Sequence, residues 1–433
     1  MSERSPDPVR QAACSILLRA ETQRKSIDAP LRSIAASFEE RDRRFLWNLV
    51  QETLRWKLRL DAVIAPLLKH PHDRLEPAAR VVLRLSAAQF CLMDQVPEHA
   101  IGDEAVRLAR QFASPGVDRL VNAVTRRLAA DGRSRWKRID QERDPAQWDV
   151  QTSHPDWLVR RWRSRHGDEI ARAILEWDNQ RAPVWLRARP GGLKPDGQPG
   201  WVPHTYRMPD EYRPSSDPGF ASGEWTVQDP SESLVCLLAP DRVEGPIVDL
   251  CAAPGTKTSH LAERYSGFLI ATDRTRQRVQ RMRETLARTR TAAAILVADA
   301  RTAALRSGSV GGVLVDAPCS NLGVLRRRPD ARWNVAGETD IARRAKTQSD
   351  LLRCAAALLR PGGWLLYSVC STEPEETEGI RTAFLDQDQR FRSEPVAFEL
   401  PDELVTGEGS IMIRPGQRDC DGVYACLFRR VGN

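Results

Sequence analysis

The 433-residue sequence predicts three successive folds: an all-α bundle over 1–135, a small α+β segment over 136–232, and a doubly wound α/β domain over 233–433. Three observations carry this reading. Apolar residues recur at helical spacing through the first part; Trp, Arg, Pro and Gly crowd the second; short β runs alternate with helical patterns in the third. The length suffices for two or three domains, each with its own core.

Helical spacing covers Val9–Glu21, Glu39–Leu68, Pro77–Met93, His99–Gln111 and Val117–Ala130. Asp7-Pro8 supplies a cap with proline in the first turn, and Pro77 and Pro115 mark helix starts. Arg55, Arg59, Arg80 and Arg84 interleave with the apolar positions. Solvated basic faces explain them, and RNA contact is the alternative. In the second part a helix over Pro155–Asn179 leads to a strand at Val184–Ala188, a turn-rich loop at Pro190–Gly200, and an entry strand in Gly223–Pro230. Trp136, Trp148, Trp157, Trp162, Trp177, Trp185, Trp201 and Trp225 lie here. Aromatics among arginines suit base stacking, whereas core packing is the plainer account.

Strands are expected at Ile247–Leu250, Phe268–Thr272, Ala294–Ala298, Val313–Val315 and Trp364–Val369, with helices at Lys257–Arg264, Arg276–Arg288 and Thr339–Leu359 between them. That alternation predicts a parallel sheet. Pro361-Gly362-Gly363 stops the last helix, and Ser410–Arg414 with Val423–Phe428 forms a closing hairpin.

Composition bounds the function. Apolar residues make up 41%, so wholesale disorder is excluded. Lys and Arg number 65 against 58 acids, a net +7, which favours a polyanionic partner. No apolar run has membrane-span length, and MSERSPDPVRQAA lacks the core of a signal peptide. A soluble, cytoplasmic monomer with no membrane partner is expected. The nine cysteines, at 14, 91, 236, 251, 319, 354, 370, 420 and 426, form no CxxC pair and do not cluster with histidines. That pattern predicts free thiols and no metal site.

In an open α/β sheet, ligands bind beyond the carboxyl ends of the strands. The first such end is Asp249-Leu250-Cys251-Ala252-Ala253-Pro254-Gly255-Thr256-Lys257-Thr258. It is not a P-loop, because Thr256 and Cys251 stand where that motif needs glycines. Small residues before a helix still let a ligand approach free backbone N–H groups. Asp273 ends the second strand, where an acid can accept ribose hydroxyls, and Asp299 ends the third, within reach of an adenine amine. Each alone could be a helix cap; together they favour a nucleoside-containing cofactor. The fourth strand delivers Asp316-Ala317-Pro318-Cys319-Ser320, and the fifth, GWLLYSV, ends at Cys370. Two cysteines at neighbouring strand ends suggest nucleophilic catalysis rather than packing.

The turn from Asp249 to Lys257, the DAPCS stretch and SVCSTEPEE together resemble the NOL1/NOP2/Sun RNA cytosine-5 methyltransferases over roughly 225 to the end. Pro155-Asp156-Trp157-Leu158 and Asn179-Gln180-Arg181 resemble the segment preceding their catalytic domain. Gln95-Val96-Pro97-Glu98-His99-Ala100, running into Asp103-Glu104-Ala105-Val106, resembles the NusB family of helical RNA-binding domains. The resemblance implies a Rossmann-like methyltransferase domain, S-adenosyl-L-methionine as cofactor, and C5 of a cytosine as target. The NusB-like domain in front implies small-subunit (16S) ribosomal RNA as substrate. Cys370 would attack C6, Cys319 would help remove the adduct, Asp316 would bond N3 or the exocyclic amine, and Lys257 would orient the base or the loop. The cofactor would lie against Cys251, Ala252, Ala253, Pro254, Gly255, Thr256, Lys257, Asp273, Asp299 and Asp316. Arg326, Arg327 and Arg328 would hold RNA phosphates, unless they form a solvated basic turn.

Two departures from the family pattern stand out: Thr256 replaces a usual second glycine, and Ser320-Asn321-Leu322-Gly323 replaces Ser-Gly-Thr-Gly. Two other functions compete. One is methylation of another RNA, such as transfer RNA. The other is a non-catalytic RNA-binding assembly factor, which would have no need of two thiols at those strand ends.

Overall fold

The computed structural model describes residues 5–23, 25–142, 144–302, 305–396 and 399–432. Met1–Arg4, the start of the segment read for signal character, lie outside that range. Contacts divide the chain into two compact units, residues 1–180 with 325–336 and residues 181–324 with 337–433.

The first unit is helical: α1 Pro8–Gln23, α2 Asp28–Ala35, α3 Glu40–Arg55, α4 Lys57–Ile64, α5 Pro77–Leu92, α6 Glu98–Phe112, α7 Val117–Gln141, α8 Trp148–Thr152 and α9 Asp156–Trp177. Leu46, Leu49, Val50, Leu60, Val63, Val82, Leu83 and Leu108 meet in its core. Two expectations need correction. The single helix over Glu39–Leu68 is broken at Trp56 (φ −105°, ψ 20°) into α3 and α4. It then ends at Ile64, because Pro66 has no N–H to continue the ladder. The reading also passed over α2 and stopped α7 eleven residues short of its end at Gln141.

The interleaved arginines are not solvated faces. Arg55, Arg59 and Arg84 are buried. Arg84 holds Asp61 (2.6 Å) and Glu21 (3.1 Å), and Arg59 donates to the carbonyl of Trp136 at 2.8 Å. Arg55 donates to the carbonyls of Asp178 (3.0 Å) and Arg326 (3.1 Å), so it fastens the 325–336 segment into this unit. From that segment Arg332, fully buried, donates to the carbonyls of Arg55 (3.1 Å) and Ser153 (2.9 Å), and Trp333 Nε1 donates to Leu54 (2.7 Å). The Arg326–Arg328 run is therefore not a solvated turn. Arg326 is buried with its guanidinium 3.8 Å from the Trp177 ring, and Arg328 bonds Asp330 (3.2 Å) and Ser26 (2.8 Å). Several tryptophans likewise serve packing: Trp162 and Trp185 are buried, and Arg163 and Arg172 cover Trp148.

The second unit holds two sheets. The smaller is antiparallel, in the order β2-β3-β1-β4, from β1 Trp185–Ala188, β2 Gln198–Pro199, β3 Thr205–Arg207 and β4 Trp225–Val227. The larger comprises β5 Ile247–Asp249, β6 Leu269–Asp273, β7 Ala294–Val297, β8 Val310–Asp316, β9 Leu359–Val369, β10 Phe391–Glu394, β11 Ile411–Ile413 and β12 Val423–Arg430. Its order is β10-β12-β9-β8-β5-β6-β7, with β11 paired to β12. The run from β9 to β7 is parallel, as expected, with helices Thr256–Arg264, Arg276–Arg288 and Glu338–Leu358 among the connections. The sheet as a whole is mixed, because the expected hairpin strand β12 continues it antiparallel to β9. Pro361-Gly362-Gly363 follows the helix end at Leu358 but lies inside β9, where the register against β8 slips between Val310 and Gly312. Gly312 is required there: an added Cβ would lie 2.3 Å from the buried Trp364 ring.

Candidate active site

The strand order reverses about β5, whose neighbours are β6 on one side and β8 on the other. A crevice at such a reversal is where ligands bind in this architecture. The turn after β5 enters helix Thr256–Arg264 through Gly255 (φ +100°), a left-handed conformation open to glycine, with Met282 Cγ only 3.2 Å from an added Cβ. Thr256 is the first helical residue and half-buried, so its side chain is accommodated. Ala252 N–H bonds the Thr272 carbonyl (2.9 Å) and Ala253 N–H bonds Asp273 Oδ2 (3.3 Å), which tie the turn to β6. Pro254 is exposed and Cys251 half-buried, its thiol pushed up by burial.

The strand-end acids differ. Asp249 is 2% exposed; Oδ2 accepts from Thr258 Oγ1 at 2.7 Å, and Oδ1 has no partner among the described residues. Burial pushes its carboxyl up to about 7. A buried acid with one unfilled oxygen beside a helix N-terminus fits a ligand that brings a donor, such as the ammonium of an amino acid moiety. Asp273 is buried at the end of β6 and pairs with Arg278 Nε at 3.0 Å. Asp299 follows β7, with Oδ1 accepting from Arg301 Nε (3.0 Å) and backbone N–H (3.0 Å) and Oδ2 from the Arg301 fork (2.7 Å). These bonds hold its carboxyl down at about 2. Asp299 thus caps the turn Ala300–Thr302, the alternative role that such an acid carries in sequence.

The groups read as reactive converge. Lys257 Nζ, buried, lies 2.9 Å from Asp316 Oδ2 at the end of β8, and Ser368 Oγ donates to Asp316 Oδ1 at 2.7 Å. Burial opposes the Lys257 charge, but the Asp316 and Glu232 carboxylates override it, so the ammonium is held well above its ordinary range. Cys319, buried, and Cys370, half-buried, face each other with 3.2 Å between sulfurs. The bond to Cys370, with burial, pushes the Cys319 thiol well up.

The loop carrying Cys319 hangs on a residue the sequence reading left without a role. Glu376, fully buried, accepts from Ser320 N–H (2.8 Å), Ser320 Oγ (2.5 Å) and Gln348 Nε2 (3.0 Å). Burial pushes its carboxyl up. Arg344 donates to the Cys319 carbonyl at 3.2 Å. An acid six residues after a strand-end cysteine was the available signal; the loop it holds is distant in sequence. Gly323 completes the loop: its N–H bonds the Cys370 carbonyl at 3.0 Å, and an added Cβ would lie 2.6 Å from the Gly422 carbonyl oxygen.

No group of three or more His, Cys, Asp or Glu among the described residues is placed to hold a metal ion, and no helix there is long and apolar enough to cross a membrane. Three family models match: 16S rRNA methyltransferase RsmB/F over 235–429, the NusB family over 7–130, and the RsmF/B-like ferredoxin-like domain over 154–189. Ribosomal RNA small subunit methyltransferase B of Cronobacter sakazakii is 31% identical over 445 residues, covering 98% of this chain and 99% of that one. The protein of the same name from Salmonella arizonae is 31% identical over 447 residues, with the same coverage. Among solved structures, that of PH0851 superposes with a TM-score of 0.78 at 23% identity, covering 99% of this chain and 100% of its own. NSun6 from Pyrococcus horikoshii with SFG gives 0.52 at 19%, covering 64% and 99%.

Proposed function

Because the chain belongs to the RsmB/F family of small-subunit ribosomal RNA methyltransferases, we propose that it methylates C5 of a cytosine in 16S ribosomal RNA through a covalent bond from Cys370 to C6. The observation that carries this reading is the pair of facing thiols at the ends of the neighbouring strands β8 and β9, together with Asp316 at the end of β8, which Lys257 reaches from the first turn of the helix Thr256–Arg264.

C5 of cytosine is a poor nucleophile until a thiolate adds to C6 and makes C5 enamine-like. Cys370, at the half-buried end of β9, supplies that sulfur and gives up its proton as the bond forms. Both oxygens of Asp316 accept hydrogen bonds, so this carboxylate suits the exocyclic amine of the base as a further donor. Lys257 fixes its orientation and balances its charge. S-adenosylmethionine, when bound, supplies an electrophilic methyl group on a sulfonium. Asp249 Oδ1, the backbone around Gly255 and the buried Asp273 are the groups that would hold it. Release requires loss of the C5 proton and rupture of the C6–S bond, and Cys319, 3.2 Å from the attacking sulfur, is placed to assist. Attack from the face of the ring needs an unstacked base, so the substrate cytosine is expected in a loop or flipped out.

The test is a denaturing gel with substrate RNA and S-adenosylmethionine. Cys370→Ala is expected to give neither methylated product nor protein–RNA adduct. Cys319→Ala is expected to accumulate an adduct that withstands denaturant and disappears in the double variant. An adduct from Cys370→Ala and none from Cys319→Ala would reverse the roles, and no adduct from either would remove the covalent route.

A further inference from the structure

Asn321 stands two residues beyond Cys319, in the loop that follows β8. Its backbone has φ +60°, a left-handed conformation that asparagine tolerates better than most residues with a side chain. The side chain therefore occupies space that a glycine would leave open, and it reaches both thiols' surroundings. Cys370 Sγ donates to Asn321 Oδ1 at 3.1 Å, and Asn321 Nδ2 donates to the Cys319 carbonyl at 3.2 Å. The carbonyl fixes which way the amide points: the opposite orientation would set the amide oxygen against a carbonyl oxygen. An oxygen thus faces the Cys370 sulfur.

The consequence is a directional chain. The single hydrogen of the Cys370 thiol goes to Asn321, so the 3.2 Å contact between sulfurs is made by the hydrogen of Cys319. A thiol whose hydrogen is engaged by a fixed acceptor is held in one orientation. We infer that Asn321 is a positioning residue that holds Cys370 as a resting, oriented thiol in the RNA-free enzyme, and that this hydrogen bond must break before Cys370 attacks. The inference rests on Cys370 as nucleophile. It adds a safeguard to that role: a half-buried sulfur at a substrate cleft is kept from stray electrophiles until the base arrives. The loop around Asn321 stays in place without its side chain, because Glu376 holds Ser320 and Cys370 holds Gly323 through backbone bonds.

The test is iodoacetamide alkylation of the full-length protein without RNA, with the modified cysteine identified by peptide mass spectrometry. Asn321→Gly removes the amide and relieves the backbone. It is expected to raise the Cys370 alkylation rate at neutral pH by about tenfold, while alkylation of the half-buried Cys91 and Cys354 is unchanged. Asn321→Asp keeps an acceptor oxygen at the same place and is expected to be no faster than the parent protein. Equal Cys370 rates in Asn321→Gly and the parent, or a rate increase in Asn321→Asp matching that of glycine, would overturn the inference. Methyl transfer by Cys370→Ala separates this outcome from failure of the underlying reading: full transfer there discards the nucleophile, whereas loss of transfer with unchanged alkylation discards only the role of Asn321.

Discussion

Lys257 shows how a residue's chemistry follows from where the chain puts it. Its ammonium is buried beside Asp316, and burial alone would discharge it. The carboxylate keeps it charged, and the pair acts as one fixed dipole at the end of β8. Lys257→Met should lower single-turnover methyl transfer by about 100-fold, the size of effect seen when one fixed electrostatic group is lost from a site. Arginine should not restore the rate, because its planar fork cannot replace a point charge on one carboxylate oxygen. A rate within threefold of the parent for Lys257→Met would show that the pair is structural. At this scale the sequence was readable for groups that end strands: Asp249, Asp273, Asp316, Cys319 and Cys370 all stand at or just beyond strand ends. What Asp299 bonds was not readable, since a cap and a ligand contact use the same acid at the same spacing, and only coordinates reveal the Arg301 fork.

Elements were legible where one period dominates and obscure where tertiary contacts decide. The five parallel strands are short apolar runs bounded by turn residues; β5, β6 and β7 lie within about a residue of their expected places, whereas β8 and β9 start earlier, at Val310 and Leu359. The break at Trp56 and the short helix α2 carry no local signal of comparable strength. Nor did the loop from Cys319 to Gly323 reveal that its anchor is Glu376, more than fifty residues away. That anchor can be measured. Glu376→Ala leaves the Ser320 N–H without its buried acceptor, the Ser320 hydroxyl with only Ser371 Oγ and the Gln348 amide with only the Pro318 carbonyl. An orphaned buried group costs about 1–3 kcal/mol, and the two weakened ones add to it. A loss of about 3 kcal/mol in the second unit is expected by denaturant titration, with faster hydrogen exchange at Cys319–Leu322. Unchanged exchange there would show that the loop is held by something other than Glu376.

On the scale of the whole molecule, the two units carry different buried charges and should answer acid differently. No pattern in the chain warns of this, because Arg55, Arg59, Arg84 and Arg332 look in composition like a basic surface and prove to be internal cross-links. In the first unit His154 is fully buried, with Nδ1 3.1 Å from Thr152 Oγ1 and Nε2 3.4 Å from Asp178 Oδ2. Burial first, then Arg332 and Arg55, hold it well below its ordinary 6.5. A histidine kept neutral in the folded state but free to protonate when unfolded removes stability as pH falls below 6.5. The slope approaches about 1.4 kcal/mol per pH unit, and His72 in the same unit, also held low by burial, adds to it. His260 in the second unit is held low in the same way. There, however, Asp249 has its carboxyl raised to about 7, so between its unfolded value and 7 it is protonated when folded and ionised when unfolded. Its contribution has the opposite sign and grows as pH falls, and the raised Glu263 and Glu376 act in the same direction. Between pH 6.5 and 5 the first unit should therefore lose about 2 kcal/mol while the second changes little, with hydrogen exchange resolved by peptide as the readout. His154→Gln should flatten the loss in the first unit, and Asp249→Asn should expose an acid loss in the second that the parent lacks. Equal acid sensitivity of the two units in the parent, or no change in either variant, would show that these buried groups do not set the pH response.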